Sequence, residues 1–156
     1  MTFKYYRIED IRVDKKILLK FKGRNGYENS SDETEFLTQG RLIEKNGKYF
    51  LKYTESLAED GGDGVTTTMK IENSRVTVIR YGETNTQMIM ETGKKHISLY
   101  ETPYGSVVVG VITDNISLDI GKNRGKIRID YDLEVNDAFM SKNCINLSYE
   151  EIGGKA

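Results

Sequence analysis

Apolar and polar residues alternate along most of the chain. Ile127, Ile129, Tyr131, Leu133 and Val135 alternate with Arg128, Asp130, Asp132 and Glu134. A period of two puts such a set on one face of a β-strand. Lys15 to Lys22 repeats the pattern with Ile17, Leu19 and Phe21. Glu33–Lys45 and Lys48–Glu55 flank Asn46-Gly47, the strongest short hairpin signal. A two-residue turn there sets Lys45 opposite Lys48, Leu42 opposite Leu51 and Gly40 opposite Tyr53. The glycine leaves room for the tyrosine ring. Val65–Glu72 and Arg75–Tyr81 form the next hairpin around Asn73-Ser74, pairing Ile71 with Val76, Met69 with Val78 and Thr67 with Arg80. Thr84–Glu91 and Lys94–Glu101 follow around Thr92-Gly93. The expected register there joins Met88 to Ile97 and Thr86 to Leu99, with Glu91 meeting Lys94 outside.

Thr102-Pro103-Tyr104-Gly105 carries Pro and Gly where a type I turn takes them. Ser106–Thr113 then reads as a strand apolar on both faces, and Asp114–Gly125 as a turn-rich stretch. The last strand, about Phe139–Glu150, turns Ile145, Leu147 and Tyr149 inward. Its parity requires an odd-length loop or a bulge near Asn136-Asp137-Ala138. No segment has a helical period. The pattern predicts an all-β chain, an antiparallel up-and-down meander of about 8–10 strands. A long meander buries its edges best by closing into a barrel.

The expected organisation is one barrel domain over 15–152 with a short tail at 153–156. Residues 1–14 hold Phe3, Tyr5, Tyr6, Ile8, Ile11 and Val13, too apolar for a plain tail. We expect them to cover the outer side of Val107–Val111, with a second copy of the chain as the alternative cover.

Composition supports strands. Ile, Thr and Val outnumber Leu and Ala, and β-branched side chains favour a pleated surface. The net charge of −1 and the pI near 5.9 argue against a nucleic-acid binder. That near-neutrality hides a basic stretch over 1–30 and an acidic one over 31–64. A single cysteine, Cys144, allows no internal disulfide and suits a reducing compartment. The charged start lacks the apolar centre of a secretory signal, so a cytoplasmic location is expected. The longest apolar run, Val107–Ile112, is too short to span a bilayer.

Little of the sequence suits catalysis. His96 is the only imidazole, and the register expected above points it outward. Cys144 has the wrong parity for the Ile145–Leu147 face. The acidic glycine-rich loop at 56–64 lacks the ligand spacing of a calcium hand. It is also followed by no helix that could present N–H groups to a phosphate. No catalytic residue, metal site or cofactor is expected, nor an enzyme. Arg80 is the informative polar residue, because its register sets it on the inner Ile71–Val76–Val78 face. A buried guanidinium needs a partner, unless it sits at the barrel mouth and reaches solvent.

Thr66-Thr67-Thr68-Met69-Lys70-Ile71-Glu72, Val76-Thr77-Val78-Ile79-Arg80-Tyr81-Gly82, Gln87-Met88, Tyr100-Glu101-Thr102-Pro103-Tyr104-Gly105 and Ile129-Asp130-Tyr131-Asp132-Leu133 resemble the bacterial YwiB-like domain of unknown function. The resemblance spans about 15–152. It implies a lipocalin-like (calycin) β-barrel and no catalytic residues, since none is established for the family. The chain has no Trp and so lacks the Gly-x-Trp signature of secreted lipocalins.

The resulting expectation is a barrel holding a small apolar or amphipathic ligand. Arg80, Thr67, Tyr53 and Tyr131 would form the polar handle, and Met69, Met88 and Leu99 the apolar lining. The alternative is a filled barrel acting as a protein-interaction module through the exposed apolar strand 107–111, with a homodimer as one outcome. Neither nucleic acid nor membrane is expected as a partner.

Overall fold

The computed structural model describes residues 11–27, 29–55, 64–82 and 85–153. These form ten strands in chain order and no helix: β1 (Ile11–Gly26), β2 (Ser31–Lys45), β3 (Lys48–Glu55), β4 (Val65–Glu72), β5 (Arg75–Tyr81), β6 (Thr86–Glu91), β7 (Lys95–Thr102), β8 (Gly105–Ile120), β9 (Arg124–Val135) and β10 (Ala138–Glu151). One antiparallel sheet runs in the order β6-β5-β4-β3-β2-β1-β10-β9-β8-β7. It curls into a nearly closed barrel in which β6 and β7 meet.

The expected registers of the first two hairpins hold. Gly40 faces Tyr53, Leu42 faces Leu51 and Lys45 faces Lys48. Ile71 faces Val76, Met69 faces Val78 and Thr67 faces Arg80. Asn46 and Gly47 both have positive φ (53° and 76°), as a type I′ turn requires. Asn136 and Asp137 do the same at the β9–β10 turn (50° and 65°). That turn is even in length, so the parity change falls on a bulge between Phe139 and Ser141.

Inward-facing side chains fill one end of the barrel. Ile17, Leu42, Leu51, Ile71, Val76 and Ile127 are all buried there. Tyr149 also packs inward, over Gly125, where a Cβ would lie 2.5 Å from its ring. Its hydroxyl donates to the Gly121 carbonyl at 2.7 Å. Buried Leu, Ile and Val side chains each contribute about 1.5–3 kcal/mol by leaving water, and this plug anchors the long β1, β2, β9 and β10 strands.

Four expectations need correction. β1 begins at Ile11, not Lys15: Val13 is buried and Asp14 pairs with Arg41 at 2.6 Å. Residues 11–14 are therefore barrel strand, while the expected packing of 1–10 lies outside the described residues. The stretch read as turn-rich, 114–125, is mostly strand. β8 continues to Ile120 through a bulge between Thr113 and Asn115, and β9 starts at Arg124.

The third correction concerns β6 and β7, which form no hairpin ladder. The backbone of their turn docks on β8 instead: the Gly93 amide donates to the Thr113 carbonyl (2.9 Å) and the Thr113 amide to the Lys94 carbonyl (3.3 Å). β7 takes its register from β8, with Ile97 opposite Gly110, Leu99 opposite Val108 and Tyr100 opposite Val107. This reverses the expected faces. Ile97 and Leu99 are exposed (61% and 64%), and His96 and Tyr100 turn inward beside buried Val111 and half-buried Val107.

The fourth follows from the same register. Val109 and Val111 are buried in the core, so the exposed apolar face expected on 107–111 is formed instead by Ile97 and Leu99 of β7 with half-buried Val108.

Candidate functional site

A straight line of cross-strand neighbours crosses the sheet: Ile17, Gly40, Tyr53, Thr67, Arg80 and Thr86, from β1 to β6. Directly opposed side chains on one face lie within reach of each other. Below this line Met69, Val78 and Met88 form the next inward row. Above the plug, these rows surround a cavity of about 640 Å³ open at one end. Its wall draws on β1 to β6, β9 and β10.

The cavity brings together six of the seven residues singled out from sequence. Tyr53, Thr67, Met69, Arg80, Met88 and Tyr131 all line it. Thr67 is 1% exposed, and Tyr53 and Met69 are also buried. Arg80 is solvent-exposed yet lines the cavity, so it stands at the mouth. Leu99 does not belong: it lies on the outside of β7, because that strand follows β8 rather than β6.

Phe21 and Phe36 complete the wall near the mouth, their rings stacked at 4.8 Å. Phe36 also tilts against Tyr53 at 6.0 Å. The pair forms because β1 and β2 are a long hairpin in which Phe21 faces Phe36. The inward face of Phe21 was readable from alternation. Phe36 was hidden because the polar loop after Gly23 leaves the β1–β2 register open. Gly23 beside them keeps the rim clear, since a Cβ there would lie 2.9 Å from the Phe21 ring.

Among the described residues, the polar chemistry of the cavity wall is neutral except at one point. Among the described residues lining it, Arg80 is the sole charged one. Burial pushes the Tyr131 phenol up to about 12, with neighbouring Tyr100 adding to the effect. Tyr100 is itself raised by burial, partly offset by Thr86 and Arg80 nearby. Both phenols therefore stay protonated and act as neutral hydrogen-bonding groups. The Thr67 hydroxyl is fully buried and has no hydrogen-bond partner. Such a group costs free energy unless something satisfies it. Tyr100 neighbours Tyr131 without lining the cavity, and its inward face follows from the reversed register of β7.

His96 and Cys144 lie outside the cavity wall. His96 Nε2 is 3.0 Å from Glu91 Oε1 and does not line the cavity. Cys144 is half-buried and lies across from Asp130 on the outer face. Burial, then the hydrogen bond to Asp130, raises its thiol above the ordinary value, which disfavours the nucleophilic thiolate. No group of three or more His, Cys, Asp or Glu among the described residues is arranged to hold a metal ion. A second hollow of about 480 Å³ lies on the outer face of β1, β10, β9 and β8. Lys20, Lys22, Lys126 and Arg128 border it, with Lys20 tied to Glu35 and Arg128 to Asp130.

Comparison with known proteins places this geometry. Residues 19–147 match a family model described as a domain of unknown function (DUF1934). The chain is 28% identical over 123 residues to the uncharacterized beta-barrel protein YwiB of Bacillus subtilis (strain 168), covering 79% of this chain and 84% of that protein. It also superimposes on the crystal structure of ywiB protein from Bacillus subtilis with a TM-score of 0.82 and 25% identity, covering 95% of this chain and 99% of the other.

Proposed function

This chain belongs to the DUF1934 family, a domain of unknown function, and we propose that it binds a small, largely apolar molecule inside its barrel. The observation that carries this reading is the open-ended cavity of about 640 Å³. That volume falls within the range of small-molecule sites, which are mostly apolar with a few placed polar groups. Met69, Met88 and Met90 supply adaptable apolar wall, and Thr67, Tyr53 and Tyr131 supply the polar points. A binder rather than an enzyme fits the cavity chemistry, because the described residues of its wall pair no nucleophile with a base. The alternative, a filled barrel acting only through its exterior, requires an interior without room for a ligand.

Native mass spectrometry of the protein purified from its own host, together with titration by the neutral dye Nile red, tests this reading. The expected results are a retained small molecule or saturable dye binding, abolished when Met88→Trp fills the cavity. Failure of both to appear in the unaltered protein would overturn it.

A further inference from the structure

We infer, resting on the binding reading above, that the occupant carries an uncharged oxygen group, a carbonyl or a hydroxyl, seated between Thr67 and Tyr131. Three observations support the assignment.

The first is a buried hydroxyl with nothing to bond. Thr67 is 1% exposed, and its Oγ1 has no hydrogen-bond partner. Thr113 shares this condition, but of the two only Thr67 lines the cavity. Buried polar groups in folded proteins are nearly always hydrogen-bonded, and one left unmet lowers stability. An oxygen of the occupant set against this hydroxyl removes that penalty. A threonine hydroxyl both donates and accepts, so a carbonyl or a hydroxyl serves.

The second is the facing wall. In the ring of ten strands, β4 and β9 stand five places apart in either direction. Thr67 of β4 and Tyr131 of β9 both line the cavity and so face each other across it. Burial keeps the Tyr131 phenol protonated, which leaves a second hydroxyl able to donate and accept. A polar group between the two is held from both sides.

The third is the character of the wall around this seat. Met69, Val78, Met88 and Met90 supply thioether and aliphatic surface, and Met69 and Met90 are buried. Hydroxyls bring no countercharge. An ion seated between them would lose its water without being neutralised, whereas a ketone or alcohol oxygen needs only the hydrogen bonds they offer. Arg80 stands exposed at the mouth and is already engaged in another interaction, and the seat makes no use of it.

The test uses the full chain and three naphthalenes of matched shape: 2-acetylnaphthalene, 2-ethylnaphthalene and 2-naphthoate, each measured by displacement of Nile red. The ketone is expected to bind about tenfold more tightly than the carboxylate. Thr67→Val keeps the side-chain shape and removes the hydroxyl. It should weaken 2-acetylnaphthalene about fivefold, the scale of one neutral hydrogen bond, and leave 2-ethylnaphthalene within about twofold. Tyr131→Phe should give the same signature. Retained 2-ethylnaphthalene binding also shows that each variant is folded. Arg80→Ala should leave 2-acetylnaphthalene within about twofold.

Stability gives a separate signature. The free Thr67→Val protein should unfold at equal or higher denaturant, because it loses a buried hydroxyl that lacks a partner. Preference for 2-naphthoate, an Arg80→Ala variant that loses ketone affinity, a destabilised Thr67→Val protein, or Thr67→Val and Tyr131→Phe variants that treat the two neutral naphthalenes alike would each overturn the oxygen seat while leaving the cavity reading intact. So would dye binding that no naphthalene displaces. No binding of the dye or of any probe would overturn both.

Discussion

Two glycines shape the barrel interior by what they lack. A Cβ on Gly40 would lie 2.5 Å from the Lys52 carbonyl oxygen and 3.3 Å from Tyr53 Cβ. The nearer neighbour is backbone and cannot swing aside. Gly40→Ala should therefore push β2 and β3 apart and destabilise the fold by roughly 1–3 kcal/mol, the usual cost of overpacking. The midpoint of urea unfolding reads this directly, and an unchanged midpoint would contradict the close approach. Gly125 does the same for Tyr149, three strands away around the barrel. The Gly40–Tyr53 pair was legible in the sequence because Asn46-Gly47 fixes the turn length, and everything in that hairpin follows from it. The Gly125–Tyr149 pair was not, because the run before Gly125 is polar and turn-like. Only the pairing of β8 with β9 shows it to be strand.

Strand β7 shows how far alternation can carry a reading. Its residues alternate clearly, but alternation separates two faces without saying which is inner. Pairing of β7 with β6 across their short turn would make Ile97 and Leu99 the inner set. The backbone of that turn bonds to Thr113 instead, and β7 follows β8. The neighbouring run 107–112 could not correct the error, since it is apolar on both faces. Cavity residues on β3, β4 and β5 were placed correctly because their hairpins have unambiguous turns. Leu99 was misplaced because its hairpin has no such turn. The observed register makes a sharp prediction. Leu99→Ser should change stability by no more than about 0.5 kcal/mol, as at other exposed positions, and leave Nile red binding unaltered. A loss of about 2 kcal/mol or more, the cost of emptying a core position, would return Leu99 to the interior.

The barrel as a whole closes at its weakest line. Every neighbouring pair in the sheet from β6 around to β7 is joined by a ladder of backbone hydrogen bonds, but β6 and β7 are not. Side chains hold this seam at the end near the turn. Glu91, the last residue of β6, receives His96 of β7 at 3.0 Å, Arg75 of β5 at 3.1 Å and Lys94 of the turn at 3.3 Å. These partners, His96 first and then Arg75 and Lys94, hold the Glu91 carboxyl down at about 2, against an ordinary 4.5. A carboxylate lowered on folding binds its proton more readily in the unfolded chain. Its contribution is therefore fully present above pH 4.5 and is lost as pH falls through about 2. The seam should thus loosen in acid before the plugged end of the barrel does. Hydrogen exchange across that range should show amides of β6 and β7 losing protection ahead of those in β1, which is paired on both sides. Glu91→Gln should show the loosened seam already at neutral pH and little further change on acidification. Equal protection in the two variants, or simultaneous loss in β1 and β7, would mean that the Glu91 cluster does not hold the barrel shut.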